Sequence, residues 1–227
     1  MAAAIGWGAL AASSLVIGAL VGLARPWPKR LVGLVLGFGA GALISAVSFE
    51  LAEEGVELAG RLPVAIGLGV GAITYFVAAG HVAKMGGGAA LALGAFLDGI
   101  PEQMVLGIGL AGGEPVSAGL LAAIFVSNLP ESIGGATDMR AHMHSNRQVT
   151  LNWLWIAACC AAATVVGYAI ADVASDDIHA GINGFAAGAL IVMLVDSMIP
   201  EATEQAGRTT GLVTTLGFAV AAGLSAA

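Results

Sequence analysis

Apolar residues run along this chain almost without interruption, broken at intervals by short clusters of charged residues, proline and glycine. Eight runs can be marked off: about residues 3 to 24, 31 to 57, 62 to 83, 89 to 111, 115 to 138, 150 to 172, 179 to 204 and 210 to 226. Each is near the roughly 20 residues that a helix needs, at about 1.5 Å per residue, to cross about 30 Å of hydrocarbon. The pattern predicts an all-α polytopic membrane protein with eight spanning helices. Connections are too short for a separate soluble domain, apart from a modest polar loop around Asp138 to Gln148, so the chemistry must sit in or between helices.

The stretch Gly37 to Arg61 recurs without a gap 147 residues later as Gly184 to Arg208, with 12 of 25 aligned positions identical. The matches are a Gly-Phe-x-Ala-Gly-Ala-Leu-Ile run, the pairs Glu54 with Glu201 and Glu57 with Glu204, and a closing Ala-Gly-Arg. Copies separated by an odd number of crossings stand inverted to one another, as in many secondary transporters. The chain therefore divides into a first repeat (about 1–84), a central helix pair (about 89–139) and a second repeat (about 150–227), within one transmembrane domain.

Composition agrees: 58% hydrophobic residues, 10% charged residues and a mean hydropathy of +0.93 exclude an ordinary soluble protein. The 34 glycines suit a membrane bundle, where small residues let backbones approach closely, and Gly33, Gly37 and Gly41 share one stripe, as do Gly184 and Gly188. Basic residues set the orientation. With the N-terminus outside, Arg25, Lys29, Arg30, Lys84, Arg140, Arg147 and Arg208 fall in cytoplasmic connections and Arg61 alone falls outside, so both termini are expected to face out of the cell membrane. The first run lacks a basic leader and reads as a spanning helix. No basic patch points to nucleic acid, and the adjacent Cys159 and Cys160 are poorly placed to pair with each other.

Acidic residues change the picture. Three spans carry Pro-Glu in apolar surroundings: Pro101-Glu102, Pro130-Glu131 and Pro200-Glu201. Asp98 stands one turn before Glu102, Ser127 and Asn128 one turn before Glu131, and Asp196 on the turn before Glu201, which puts polar partners on shared helical faces. Each proline also frees a carbonyl four residues back, those of Leu97, Val126 and Asp196. The second span adds Glu50, Glu53, Glu54 and Glu57, and no Lys or Arg lies inside any span as drawn. A charged side chain at the bilayer centre costs about 2.5–3.5 kcal/mol on insertion scales, so these acids must be protonated, face water or be neutralised by a cation. A cation pathway is the economical reading. The donors are oxygens, which suit hard or borderline divalent ions, with Met104, Met193 and Met198 nearby as soft additions. None of the four histidines lies deep in a span, and His142-Met143-His144 reads as a polar loop.

Asp98-Gly99-Ile100-Pro101-Glu102 and Ser127-Asn128-Leu129-Pro130-Glu131 resemble the fourth- and fifth-helix motifs of the ZIP (Zrt/Irt-like) family of divalent metal transporters, and Asp196-Ser197-Met198-Ile199-Pro200-Glu201 is similar to its seventh helix. The resemblance implies a bundle in which helices one to three and six to eight form an inverted repeat around helices four and five. It also implies a homodimer and metal uptake toward the cytoplasm. On this reading Asp98, Glu102 and Glu131 are the charged ligands, Ser127 and Asn128 complete the shell, Glu201 and Glu54 sit at pseudo-symmetric positions lining the approach or accepting displaced protons, and Asp196 and Glu50 are further candidate metal residues. Asp98, Gly99 and Ser127 stand where the family has His, Asn and His or Gln, which moves the donor set from nitrogen to oxygen and keeps Zn, Mn and Fe(II) all in view. The expected function is transport of a divalent metal cation, with no cofactor and no enzymatic activity. Three rivals accompany it: a proton- or sodium-coupled carrier of a small solute, an intramembrane metalloenzyme prompted by Glu53-Glu54, and a metal sensor that transports nothing.

Overall fold

The computed structural model describes residues 1–25, 27–84, 87–111, 118–142, 145–171 and 174–225, with the side chains of 87–95, Asp98, Ala118, Asp138, 141–142 and Ser225 outside the described set. It is all-helical among these residues. The rods are α1 (Ala2–Ala24), α2 (Lys29–Ala59), α3 (Arg61–Ala83), α4 (Gly87–Ala111), α5 (Ala118–His142), α6 (Asn146–Ala171), α7 (Asp176–Ala206) and α8 (Thr209–Ser225). Five of them, α1, α2, α3, α6 and α7, are long and apolar enough to cross a membrane. Leu62, Ile73, Phe76, Trp155 and Leu212 stand exposed on their outer faces, a surface suited to lipid and costly in water.

The expected polar loop around Asp138 to Gln148 is shorter than the sequence suggested. α5 runs on to His142 and α6 begins at Asn146, because Ser145 caps the new helix. Its hydroxyl accepts from the backbone N–H of Gln148 at 3.3 Å and donates to Oε1 of Gln148 at 2.9 Å, a Ser-x-x-Gln pairing that satisfies the helix start. At the same end of the bundle, Nη1 of Arg140 donates to the Leu23 carbonyl at 3.3 Å, supplying a partner to the C-terminus of α1.

The sequence repeat has a counterpart in local geometry. α2 widens into a π-turn at Val47–Glu53 and α7 does the same at Leu194–Met198; both turns start at positions 147 apart. Pro200 follows the second turn closely, while Glu53 holds the corresponding place in the first, so the widening does not depend on a proline. α4 and α5 continue as helices through Pro101 and Pro130. Both long rods then end on a glycine at positive φ, Gly60 at 84° and Gly207 at 67°, a conformation that a Cβ would strain. Gly60 N–H donates to Val56 and Gly207 N–H to Thr203, each at 2.8 Å, so the caps are equivalent as well.

Packing follows the same correspondence. α3 lies along α7 as α8 lies along α2, and α4 lies along α6 as α5 lies along α1. Glycines set these distances. A Cβ on Gly41 would run into the Thr214 carbonyl of α8, and one on Gly188, its equivalent, into the Leu68 carbonyl of α3. From the other side, Gly217 meets the Phe38 carbonyl and Gly71 meets that of Phe185, and these two phenylalanines are equivalent by the same offset. With α3 and α8 holding them from outside, α2 and α7 turn their inner faces toward α4 and α5. An apolar core that includes Leu43, Leu106, Ile124 and Leu190 fills the space between them.

Gly41→Ala should lower stability by about 1–3 kcal/mol through overpacking of α2 on α8. Gly69→Ala, where the added methyl meets nothing within 4 Å, should be neutral or slightly stabilising. Thermal unfolding of the two variants in detergent checks the contrast; equal midpoints would show that close approach at Gly41 is not what holds the pair.

Candidate functional site

Glu102 sits on α4 immediately after Pro101 and is 2% exposed, although it is a carboxylic acid in an apolar interior. α5 meets it with Ser127, 1% exposed, whose Oγ lies 3.2 Å from Glu102 Oε1 and 3.0 Å from the Ile124 carbonyl. One hydroxyl proton serves one acceptor at a time. When Glu102 is ionised, Ser127 donates to it; when Glu102 carries a proton, that proton can be donated to Oγ while Ser127 donates to Ile124. Both charge states of the carboxyl are therefore accommodated without moving the backbone.

One turn on, Glu131 is half-buried with its Oε1 shut off from solvent. Helix α7 brings a third carboxylate. Glu201 follows Pro200 and has Oε1 3.8 Å from where a Cβ on Gly134 of α5 would sit; Nε2 of Gln205 donates to that same oxygen at 2.9 Å. These groups line one cavity of about 20 Å³: Leu36 from α2, Glu102 from α4, Glu131 from α5, and Met193, Ser197, Met198 and Glu201 from α7. A space of that size holds about one water molecule or one ion. The π-turn at Leu194–Met198 widens α7 just where Met193, Ser197 and Glu201, successive at four-residue spacing, must share a face.

The lining is three carboxylates, a hydroxyl and two thioethers, with no basic side chain among the described residues. Glu201 is exposed to solvent, whereas the buried Glu102 and the half-buried Glu131 can be neutralised by binding protons or by binding a cation. Among the described residues no three His, Cys, Asp or Glu side chains come together as a ready-made metal cluster. Glu102, Glu131 and Glu201 thus share a cavity and do not form a closed coordination shell.

The other expected residues are distributed as follows. Asn128 is completely buried and neither atom of its amide has a partner among the described residues. Asp196 is exposed and does not line the cavity; Ser197 takes that place. Glu54 is exposed and Glu50 half-buried, both on the half of α2 away from this cavity. The Asp98 side chain and His142-Met143-His144 lie outside the described residues. His81 is exposed, with Nδ1 2.7 Å from the Val77 carbonyl, and belongs to no site. Cys159 and Cys160 are both free thiols.

Two polar features escaped the sequence reading. Gln103 and Thr164 join α4 to α6 through a fully buried bond, Thr164 Oγ1 donating to Gln103 Oε1 at 2.6 Å. Asn183 of α7 is also buried, with an unpartnered amide. Gln103 directly follows the Pro101-Glu102 pair and was overshadowed by it, while Asn183 stands beside no proline or acid and only its polarity in an apolar run marks it. Comparison with protein-family models and with curated protein sequences finds no match.

Ser127→Ala removes the donor to Glu102 and should destabilise the fold by about 1.5–3 kcal/mol if the carboxyl is ionised, and by about 1 kcal/mol or less if it is protonated. Thermal unfolding at acid and at neutral pH separates the two, since the penalty should grow as pH rises; a pH-independent effect would show that Ser127 acts through Ile124 alone.

Proposed function

We propose that this chain is a membrane transporter for a divalent metal cation, built like the ZIP family that its fourth, fifth and seventh helices resemble. In this reading all eight rods span the bilayer. α1–α3 and α6–α8 are inverted copies around α4 and α5, since five crossings separate each residue from its equivalent. Both termini face out, following the distribution of Lys and Arg.

One observation carries the proposal: carboxylates from three different helices, the buried Glu102, the half-buried Glu131 and the exposed Glu201, line one single-ion cavity, with no basic side chain in its lining among the described residues. An ionised Glu102 would cost stability there without a compensating charge, and a cation arriving from solution supplies it. Cavity size favours a metal ion over an organic solute, because about 20 Å³ has no room for one. Carboxylate and hydroxyl oxygens suit Mn, Fe(II) and Zn, and the thioethers of Met193 and Met198 shade the preference toward the softer of these.

The residues then divide the work. Glu102 and Glu131 bind the ion, and Ser127 exchanges between the Glu102 carboxylate and the Ile124 carbonyl as the proton leaves and the metal arrives. Asn128 offers a buried amide beside this pair, and Glu201 guides the ion along α7. The cavity lies toward the ends where α2 begins and α7 finishes, which is the cytoplasmic side in the assigned orientation, and in this reading the ion leaves the site toward the cell interior. Movement of α4 and α5 against α2 and α7 would expose the same carboxylates to the other side.

Glu102→Ala or Glu131→Ala in proteoliposomes should abolish Mn²⁺ or Zn²⁺ flux while the protein still inserts and purifies. Lowering the pH should suppress wild-type flux, since protons compete for the same oxygens. Competition among Zn, Mn, Fe(II), Cd and Mg at several pH values reads ion preference and proton coupling together. Unchanged flux in both variants would remove the assignment.

A further inference from the structure

The 147-residue offset maps part of the lining of the Glu102, Glu131 and Glu201 cavity onto a second set of residues. Moved by that offset, Leu36, Ser197, Met198 and Glu201 become Asn183, Glu50, Leu51 and Glu54. The exchange is chemically uneven. Where the first face offers a leucine and a hydroxyl, the second offers an amide and a further carboxylate.

Asn183 is the informative member. It is 1% exposed, and neither Oδ1 nor Nδ2 has a hydrogen-bond partner among the described residues. Its Cβ lies 3.4 Å from where a Cβ on Gly55 would sit, so it packs against α2 at the residue next to Glu54. One turn back along α2, Oε2 of Glu50 is closed off from solvent. Leaving a buried amide without a partner carries a desolvation penalty that the leucine of the equivalent position avoids. A ligand that takes the amide oxygen would relieve it. Amide and carboxylate oxygens together make a donor set for a hard or borderline divalent cation.

We infer that Asn183, with Glu50 and Glu54, forms a second cation position at the opposite mouth of the bundle, separated from the first by the apolar layer of Leu43, Leu106, Ile124 and Leu190. The inference rests on the cation reading of the central cavity and adds a station to it. The ion visits one carboxylate-bearing face of α2 near its end and the equivalent face of α7 near its own, on opposite sides of that layer. Asn183 acts there as a neutral ligand, which lowers affinity relative to a third carboxylate and lets the ion move on.

The test is Mn²⁺ binding to the full chain in detergent by equilibrium dialysis, paired with Mn²⁺ uptake in proteoliposomes. Wild type should bind two ions and Asn183→Leu one, with the KM for uptake from the Asn183 side rising at least about fivefold and kcat changing less. Asn183→Asp should bind the outer ion more tightly, by about tenfold. In the Glu102→Gln/Glu131→Gln variant one weak Mn²⁺ should remain, and adding Asn183→Leu should remove it. A single ion on wild type, or a residual ion indifferent to Asn183→Leu, overturns the second position while leaving transport intact. Two bound ions with no flux would instead sink the transport reading and keep the site.

Discussion

Close backbone approach between glycine-lined helices is the constraint on which the rest of this bundle depends. In hydrocarbon, packing one apolar helix on another gains little from solvent exclusion, so association relies on short-range contact and needs small residues to reach it. Gly41, Gly71, Gly188 and Gly217 each face a carbonyl of the neighbouring helix at a distance no side chain would permit. α8 is thereby pinned to α2 and α3 to α7. The two long helices keep their inner faces free for α4 and α5.

That arrangement explains how an apolar protein carries so much acid. α2 and α7 are the longest rods, at 31 residues, and have the largest buried shares among the five long apolar helices, and both widen into a π-turn near the carboxylates. A widened turn changes which residues share a face. It brings Ser197 rather than Asp196 to the cavity of Glu201, and α2 widens at the equivalent position without a proline. The prolines of α4 and α5 sit inside continuous helices directly before Glu102 and Glu131, at the level where the cavity forms.

Charge and packing meet at α5. Ser127 lies against Gly39 of α2 on its backbone side and against Glu102 through its hydroxyl, so one residue both sets the spacing of the central pair and tends the buried acid. The apolar layer of Leu43, Leu106, Ile124 and Leu190 shields that acid from the other half of the bundle.

Much of this was legible along the chain. Apolar runs located the helices to within a few residues, because a bilayer of fixed thickness leaves little freedom in segment length. Identity between Gly37–Arg61 and Gly184–Arg208 foreshadowed matching caps at Gly60 and Gly207, since a repeated Ala-Gly-Arg repeats its backbone requirement. Acid without base singled out Asp98, Glu102, Glu131, Asp196 and Glu201 alike, because that imbalance is a property of composition within a span, and it did not tell those that line the cavity from Asp196. The Ser145 cap shortened the expected loop and was overlooked because polarity there outweighed a local hydrogen-bond pattern. Only the tertiary structure decided which acids meet. Glu201 reaches the cavity while Asp196 and Glu54 do not share it, and Asn183 is buried while lying far in sequence from every acid of the first repeat. Which side chains face one another depends on helix rotation and on π-turns, and these are set by contacts between helices, so no reading of one helix at a time contains them.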